Sequence, residues 1–331
     1  MTLTLLAMLT ACDQSKPDYH GDSGLVAVDP NDTDDTNNSG DCDITLDNTT
    51  PSSGASSWFY RDQITLTFSD SNPTFSLSVT DSSGADVAVD TEWDDGRLNA
   101  YVLPASGAWA GSESYTVSLD LCGLNPSFSF STNEYGTPLE VEASALVGNT
   151  YLIDLSAASY SEPPGIGTLL GLFLDAPLLL GVASVDGSNI SFLATQGVLN
   201  ELEGTYEQIP SFPVWDFSNA DFSESPYFAA QTALLNVDYS GTDIPIHDFD
   251  ISGTFSSDGS MIGGAQFRGT GDTRNMGPLL NLGNNPNAVC ELVGDYGVEC
   301  VACPDDNEPY CIIVAGEIDE AELINGLTLE Q

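Results

Sequence analysis

Apolar and polar residues alternate with period two through much of the chain beyond residue 42. Ile64, Leu66 and Phe68 form one run, and Phe75, Leu77 and Val79 the next. Tyr115, Val117, Leu119 and Leu121 follow, and then Phe128 and Phe130. Period two places successive side chains on opposite faces, so each run reads as a strand with one buried face. Polar clusters such as Asp81-Ser82-Ser83-Gly84 and Asp94-Asp95-Gly96 separate the runs, as turns do. Short strands at this spacing predict a β-sandwich over residues 42–133. Trp58, Trp93 and Trp109 fall within it and are expected to pack in or beside its core.

Residues 138–331 carry the same kind of pattern. Tyr151 to Leu155 opens it. Leu178, Leu180 and Val182 alternate up to Asp186-Gly187, and Ile190 and Phe192 run back, which is a hairpin signature. A second hairpin runs from Phe249 to Phe255, turns at Ser257-Asp258-Gly259-Ser260 and returns through Ile262 to Phe267. The apolar run 164–185 is broken by Asp175 and Pro177, so it does not read as a membrane span. Six to eight antiparallel strands predict a closed or half-closed barrel, or a second sandwich. Near the end, Asn285-Pro286 and Gly297 bracket a short helix over 286–295. Val298–Cys303 and Cys311–Val314 then read as a hairpin around Pro304 to Pro309. The fold class is all-β: a sandwich, then a second antiparallel β domain with a short helix and a disulfide-stapled hairpin.

Charge narrows the function classes. The 331 residues include 50 acidic and five basic ones, a formal net charge of −45. The cations are Lys16, Arg61, Arg97, Arg268 and Arg274. Such a surface repels phosphate backbones and anionic headgroups, which excludes nucleic acid as a partner. Self-repulsion on this scale destabilises the compact state at low ionic strength and eases with salt or divalent cations.

The apolar run 3–11 is too short for a bilayer and ends in Leu9-Thr10-Ala11-Cys12. Those four residues resemble the lipobox of bacterial lipoprotein signals, although no Lys or Arg precedes the run. The resemblance implies a signal peptide over 1–11, acylation of Cys12 and an extracytoplasmic, membrane-anchored location, with the lipid as the membrane contact. Residues 12–41 are rich in Asp, Asn, Ser, Thr, Gly and Pro and read as a solvated acidic tether. Within it Asp35, Asn37 and Asp41 are candidate Ca²⁺ ligands, the one cofactor the sequence suggests. Leu46 stands where an EF-hand would place its bidentate Glu.

The sandwich segment also has a likeness. Pro51-Ser52-Ser53-Gly54, Ile64-Thr65-Leu66-Thr67-Phe68, Tyr115-Thr116-Val117-Ser118-Leu119 and Phe128-Ser129-Phe130-Ser131-Thr132 look like pieces of the Ig-like domain of S-layer and other bacterial surface proteins. That resemblance implies a spacer or adhesive module without catalytic residues. The rhythm of the second domain resembles that of lipocalin barrels, with no motif specific to that family.

With Cys12 set aside, six cysteines are left, an even number as disulfides require. Cys42 and Cys122 lie near the first and a late strand of the sandwich and are expected to pair. The last four follow C-x9-C-x2-C-x7-C. Four thiolates could hold zinc, but only one CxxC knuckle is present, and an exported chain meets oxidising conditions. The expected bonds are Cys290–Cys300 and Cys303–Cys311. A Ser/His/Asp triad would have to use His247, and no G-x-S-x-G elbow exists. Arg268 and Arg274, the cations of the second domain, are candidates for holding an anionic ligand or for pairing with neighbouring carboxylates.

The expectation is a non-enzymatic, lipid-anchored envelope protein, structural or adhesive. The alternatives are a small apolar ligand in the barrel and a carboxylate-based hydrolase. An enclosed apolar cavity of a few hundred cubic ångströms would favour ligand binding, and a filled barrel the structural role. Three converging, partly buried carboxylates would favour the hydrolase.

Overall fold

The structure, a computed structural model, describes residues 44–165, 177–239 and 241–331. The expected signal peptide over 1–11, the expected lipidation site Cys12 and the expected tether with Asp35, Asn37, Asp41 and Cys42 lie outside the described residues. Among those described, none forms a helix long and apolar enough to cross a membrane.

The first nine strands build the sandwich. They are β1 (Leu46–Thr50), β2 (Ala55–Trp58), β3 (Ile64–Phe68), β4 (Phe75–Thr80), β5 (Asp86–Val87), β6 (Val89–Trp93), β7 (Asn99–Pro104), β8 (Ser114–Leu121) and β9 (Ser127–Thr132). One sheet has the order β1-β3-β7-β6 and the other β2-β9-β8-β4-β5. The β2–β9 pair is parallel. The predicted alternation is met residue by residue in β8, where Tyr115, Val117, Leu119 and Leu121 are buried and the intervening residues exposed. Ile64, Leu66, Ala100 and Val102 of one sheet meet Val79, Val117, Phe128 and Phe130 of the other in a single core. Each large side chain so buried contributes about 1.5–3 kcal/mol. Trp109 is part of this core, and Trp58 and Trp93 pack against it.

The second half closes into a barrel. Its strands are β10 (Thr150–Ile153), β11 (Ser159–Glu162), β12 (Leu178–Asp186), β13 (Asn189–Asn200), β14 (Thr205–Gln208), β15 (Val214–Asp221), β16 (Tyr227–Tyr239), β17 (Thr242–Phe255), β18 (Met261–Asp272) and β19 (Cys311–Leu323). The order β10-β12-β13-β15-β16-β17-β18-β19 returns to β10 through Tyr151 opposite Leu323, giving a closed, antiparallel, eight-stranded wall. β11 pairs with another stretch of the same β19 edge, and β14 with the far end of β13. Both predicted hairpins are present, as β12–β13 and β17–β18. Two seams of the wall are short: β15 meets β16 at Asp221 opposite Ala229, and β19 meets β10 over two residue pairs.

The barrel is filled unevenly. At the end nearest the β12–β13 and β17–β18 turns, Tyr151, Phe192, Phe228 and Phe255 stack into an aromatic plug with ring centroids 4.7–6.5 Å apart. The Tyr151 hydroxyl donates to the Gly259 carbonyl at 2.6 Å. Leu146, on a 3-10 turn before β10, is buried against this core.

At the other end the chain leaves β18, folds back as residues 273–287 and enters the helix α1 (Ala288–Gly294). The helix starts two residues later than the 286–295 expected from sequence. The Asn285 side chain accepts from the backbone N–H of Asn287, and its carbonyl accepts from Ala288, which makes a turn ahead of the helix instead of its cap. Cys290 bonds Cys300, and Cys303 bonds Cys311. The stapled hairpin comes down to one bridge, Val301 with Cys311, because β19 spends its length pairing with β18. Cys122 is disulfide-bonded as well; its expected partner is outside the described residues.

Sandwich and barrel are joined by side chains. Tyr60 covers the outward-facing Thr254 of β17. Arg61 bonds Glu224 at 2.8 Å and lies 3.7 Å over the Tyr227 ring. Tyr135 and Phe59 rest on Gly263 and Gly264 of β18, where a β-carbon would collide with either ring.

Candidate functional site

The half of the barrel without the aromatic plug holds a cavity of about 140 Å³. Its walls come from inward-facing positions of the strands, among them Leu178, Ile251, Phe267 and Ile312. The pleat explains this lining, because every second residue of each strand points inward. Gly269 and Gly271 of β18 also face in, where larger side chains would take up the space.

The roof is Met276, Leu279 and Leu280, from the segment after β18. Its outer side is a separate small core of Val289 and Val293 on α1 with Val298 and Ile312. The roof is fixed by charge as well as by packing. Arg274 forks onto both Asp272 oxygens at 2.6–3.0 Å, bonds Asp306 and lies 3.6 Å from Asp305. The Asp272 bonds, followed by the Asp306 bond, push the guanidinium pKa up, and the Glu308 N–H and Arg274 hold the Asp306 carboxyl below its usual range.

Two side chains break the apolar lining. Gln196 of β13 and Trp215 of β15 are 7% and 8% exposed, and both face the cavity. Neither the Gln196 Oε1 nor the Trp215 Nε1 has a hydrogen-bond partner. Trp215 is paired across the strands with Ala194, two residues before Gln196 on the same face, so the two are diagonal neighbours. Sequence reading passed over both, although Phe192, Ala194 and Gln196 continue one inward alternation and Trp215 and Phe217 another.

The sequence-derived candidates sit elsewhere. Arg268 points outward and pairs with Glu162 at 3.0 Å. Arg274 is engaged by its three aspartates beside the roof. His247 lies in the wall, opposite Leu234 and Thr270, with its Nε2 buried and without a partner. Asp272, Cys303 and Cys311 converge within metal-ligand distance, but the two sulfurs are bonded to each other and Asp272 holds Arg274.

A second concavity, of about 590 Å³, lies where the sandwich meets β18 and β19. Asp62, Glu134, Glu317, Asp319 and Glu320 all border it. Only Asp62 is partly buried; the other four are exposed, so the three converging buried carboxylates of a hydrolase are not met among these five. Burial first and the Glu317 charge second push the Asp62 carboxyl up to about 6. Its carbonyl accepts from the indole N–H groups of Trp58 at 3.3 Å and Trp109 at 3.0 Å, which fixes the loop.

No protein-family model matches the chain, and no curated protein matches it at a significant level.

Proposed function

We propose that the barrel binds a small apolar molecule, and that the protein does so outside the cytoplasm on a lipid anchor at Cys12. The observation that carries the reading is the unfilled half of an otherwise tightly packed barrel. About 140 Å³ falls below the 300–1,000 Å³ of sites for drug-sized ligands. It is the size of apolar cavities, about 150 Å³, that stay dry and take up a single benzene ring. The guest is therefore of single-ring or short-chain size. Four structural cysteines in two bonds and an acidic surface suit an extracytoplasmic setting. No catalytic step enters the proposal.

The test is methyl-detected NMR of the full chain titrated with benzene. The expected result is saturable shifts of the Met276, Leu279 and Ile251 methyls, with the sandwich methyls of Ile64 unmoved. Titration to the solubility limit without those shifts would remove the ligand reading.

A structural role as a presenting module is favoured by one feature, the side-chain junction of Tyr60, Arg61, Phe59 and Tyr135 with the barrel wall. It makes the sandwich a firm support for the barrel and is compatible with ligand binding. Loss of radiolabelled palmitate from a Cys12→Ser chain expressed in a bacterium would support the anchor; an unlabelled wild type would overturn it.

A further inference from the structure

We infer that the cavity selects a guest carrying one hydroxyl group, a phenol or a short alcohol, held between Trp215 and Gln196. The inference rests on the reading of the cavity as a binding site and adds the chemistry of its guest. Buried polar groups in folded proteins are almost always hydrogen-bonded, so an unpartnered buried atom calls for an explanation. Here there are two, of opposite kind and on adjoining positions of one wall. The Trp215 indole N–H can only donate, and the Gln196 Oε1 can only accept.

That pairing discriminates between chemical classes. An alkane or plain arene fills the space and leaves both groups unpaired. With the Gln196 amide oriented as in the structure, a carbonyl or an ether accepts from Trp215 and leaves the Gln196 oxygen unpaired. A carboxylate does the same and brings a charge into a cavity whose described lining has no Lys, Arg or His, in a chain of net charge −45. A hydroxyl accepts from the indole and donates to the amide oxygen at once. A site built to hydrogen-bond a hydroxyl rejects analogues lacking it far more strongly than an apolar pocket rejects a missing methylene.

Phenol and toluene, which differ by hydroxyl against methyl, are the discriminating pair, with benzoate as the third probe. Isothermal titration calorimetry on the full chain is expected to give phenol at least tenfold tighter than toluene, and no measurable benzoate binding. In Trp215→Phe and Gln196→Leu the phenol preference is expected to collapse by tenfold or more. Continued toluene binding by these variants shows that the cavity and fold survive. Toluene binding as tightly as phenol to the wild type, a preference that outlasts both substitutions, or tight benzoate binding would each overturn the hydroxyl assignment while leaving the ligand reading intact. If neither phenol nor toluene binds, the ligand reading falls and this inference with it.

Discussion

The Tyr60 hydroxyl lies 3.0 Å from Oγ1 of Thr254, and the two residues are 194 positions apart in the chain. Thr254 faces away from the barrel interior yet has no exposed surface, because Tyr60 of the sandwich covers it. The bond therefore sits inside the junction of two separate cores, shielded from water.

Tyr60→Phe strands the Thr254 hydroxyl in that junction. The cost of a buried unsatisfied group is about 1–3 kcal/mol. Urea unfolding of the variant is expected to show that loss, and Tyr60→Phe with Thr254→Val to recover most of it. An unchanged midpoint for the single variant would mean that the junction admits water and contributes little.

Asp62 gives the fold a pH dependence of opposite sign to that of a salt-bridged carboxylate. Its carboxyl is raised from 3.8 to about 6 in the folded chain. Between those values the folded state binds more protons than the unfolded one, so stability falls as pH rises through the window. Above about 6 the penalty is complete. Asp62→Asn is expected to raise the melting temperature at pH 7.5 and leave it unchanged at pH 4. Equal gains at both pH values would assign the effect to something other than the charge.

The C-terminal disulfides border the small core behind the roof: Cys300 packs against it together with Met276 and Leu280, and Cys311 precedes its Ile312. Cys303–Cys311 closes a loop of sequence separation 8, and removing it is expected to cost roughly 2–3 kcal/mol on the chain-entropy account. Replacing both cysteines by Ala should lower the urea midpoint and weaken benzene binding together. Chelator should leave the wild type untouched. Destabilisation by EDTA would instead point to a metal held by these sulfurs.

Net charge predicts a salt response. At −45 the folded chain repels itself, and screening lengths shrink from roughly 30 Å at 0.01 M salt to about 3 Å at 1 M. The melting temperature is expected to climb between 10 mM and 0.5 M NaCl. A flat profile would show that the carboxylates are spaced widely enough to ignore one another.

The sequence pattern carries much of this architecture. Period-two runs such as Tyr115 to Leu121 show directly which residues face the core, and Asp186-Gly187 marks its turn, with Gly187 at φ +61°. The pattern misleads where the backbone slips. A strict alternation from Phe228 and Ala230 would bury Leu234, yet Leu234 is 43% exposed and Leu235 is inside. Its partner on β17 is His247; the next residue, Asp248, takes φ +48° and the β17–β18 register shifts there, so the facing strands change phase together. Barrel closure was equally hidden, because it depends on Tyr151 meeting Leu323 across 172 residues. The site itself hid behind ordinary residue types. A glutamine and a tryptophan in apolar strands draw no notice until closure shows that both point into one unfilled space.

The unfilled end of the barrel is also a volume that the folded chain holds and the unfolded chain does not. Hydrostatic pressure favours whichever state occupies less space, and internal voids are what unfolding eliminates. The barrel end with the cavity should therefore yield to compression before the aromatic plug does. A molecule seated beneath Met276 would take that lost volume away. Resistance to pressure then becomes a label-free reading of whether the barrel is occupied.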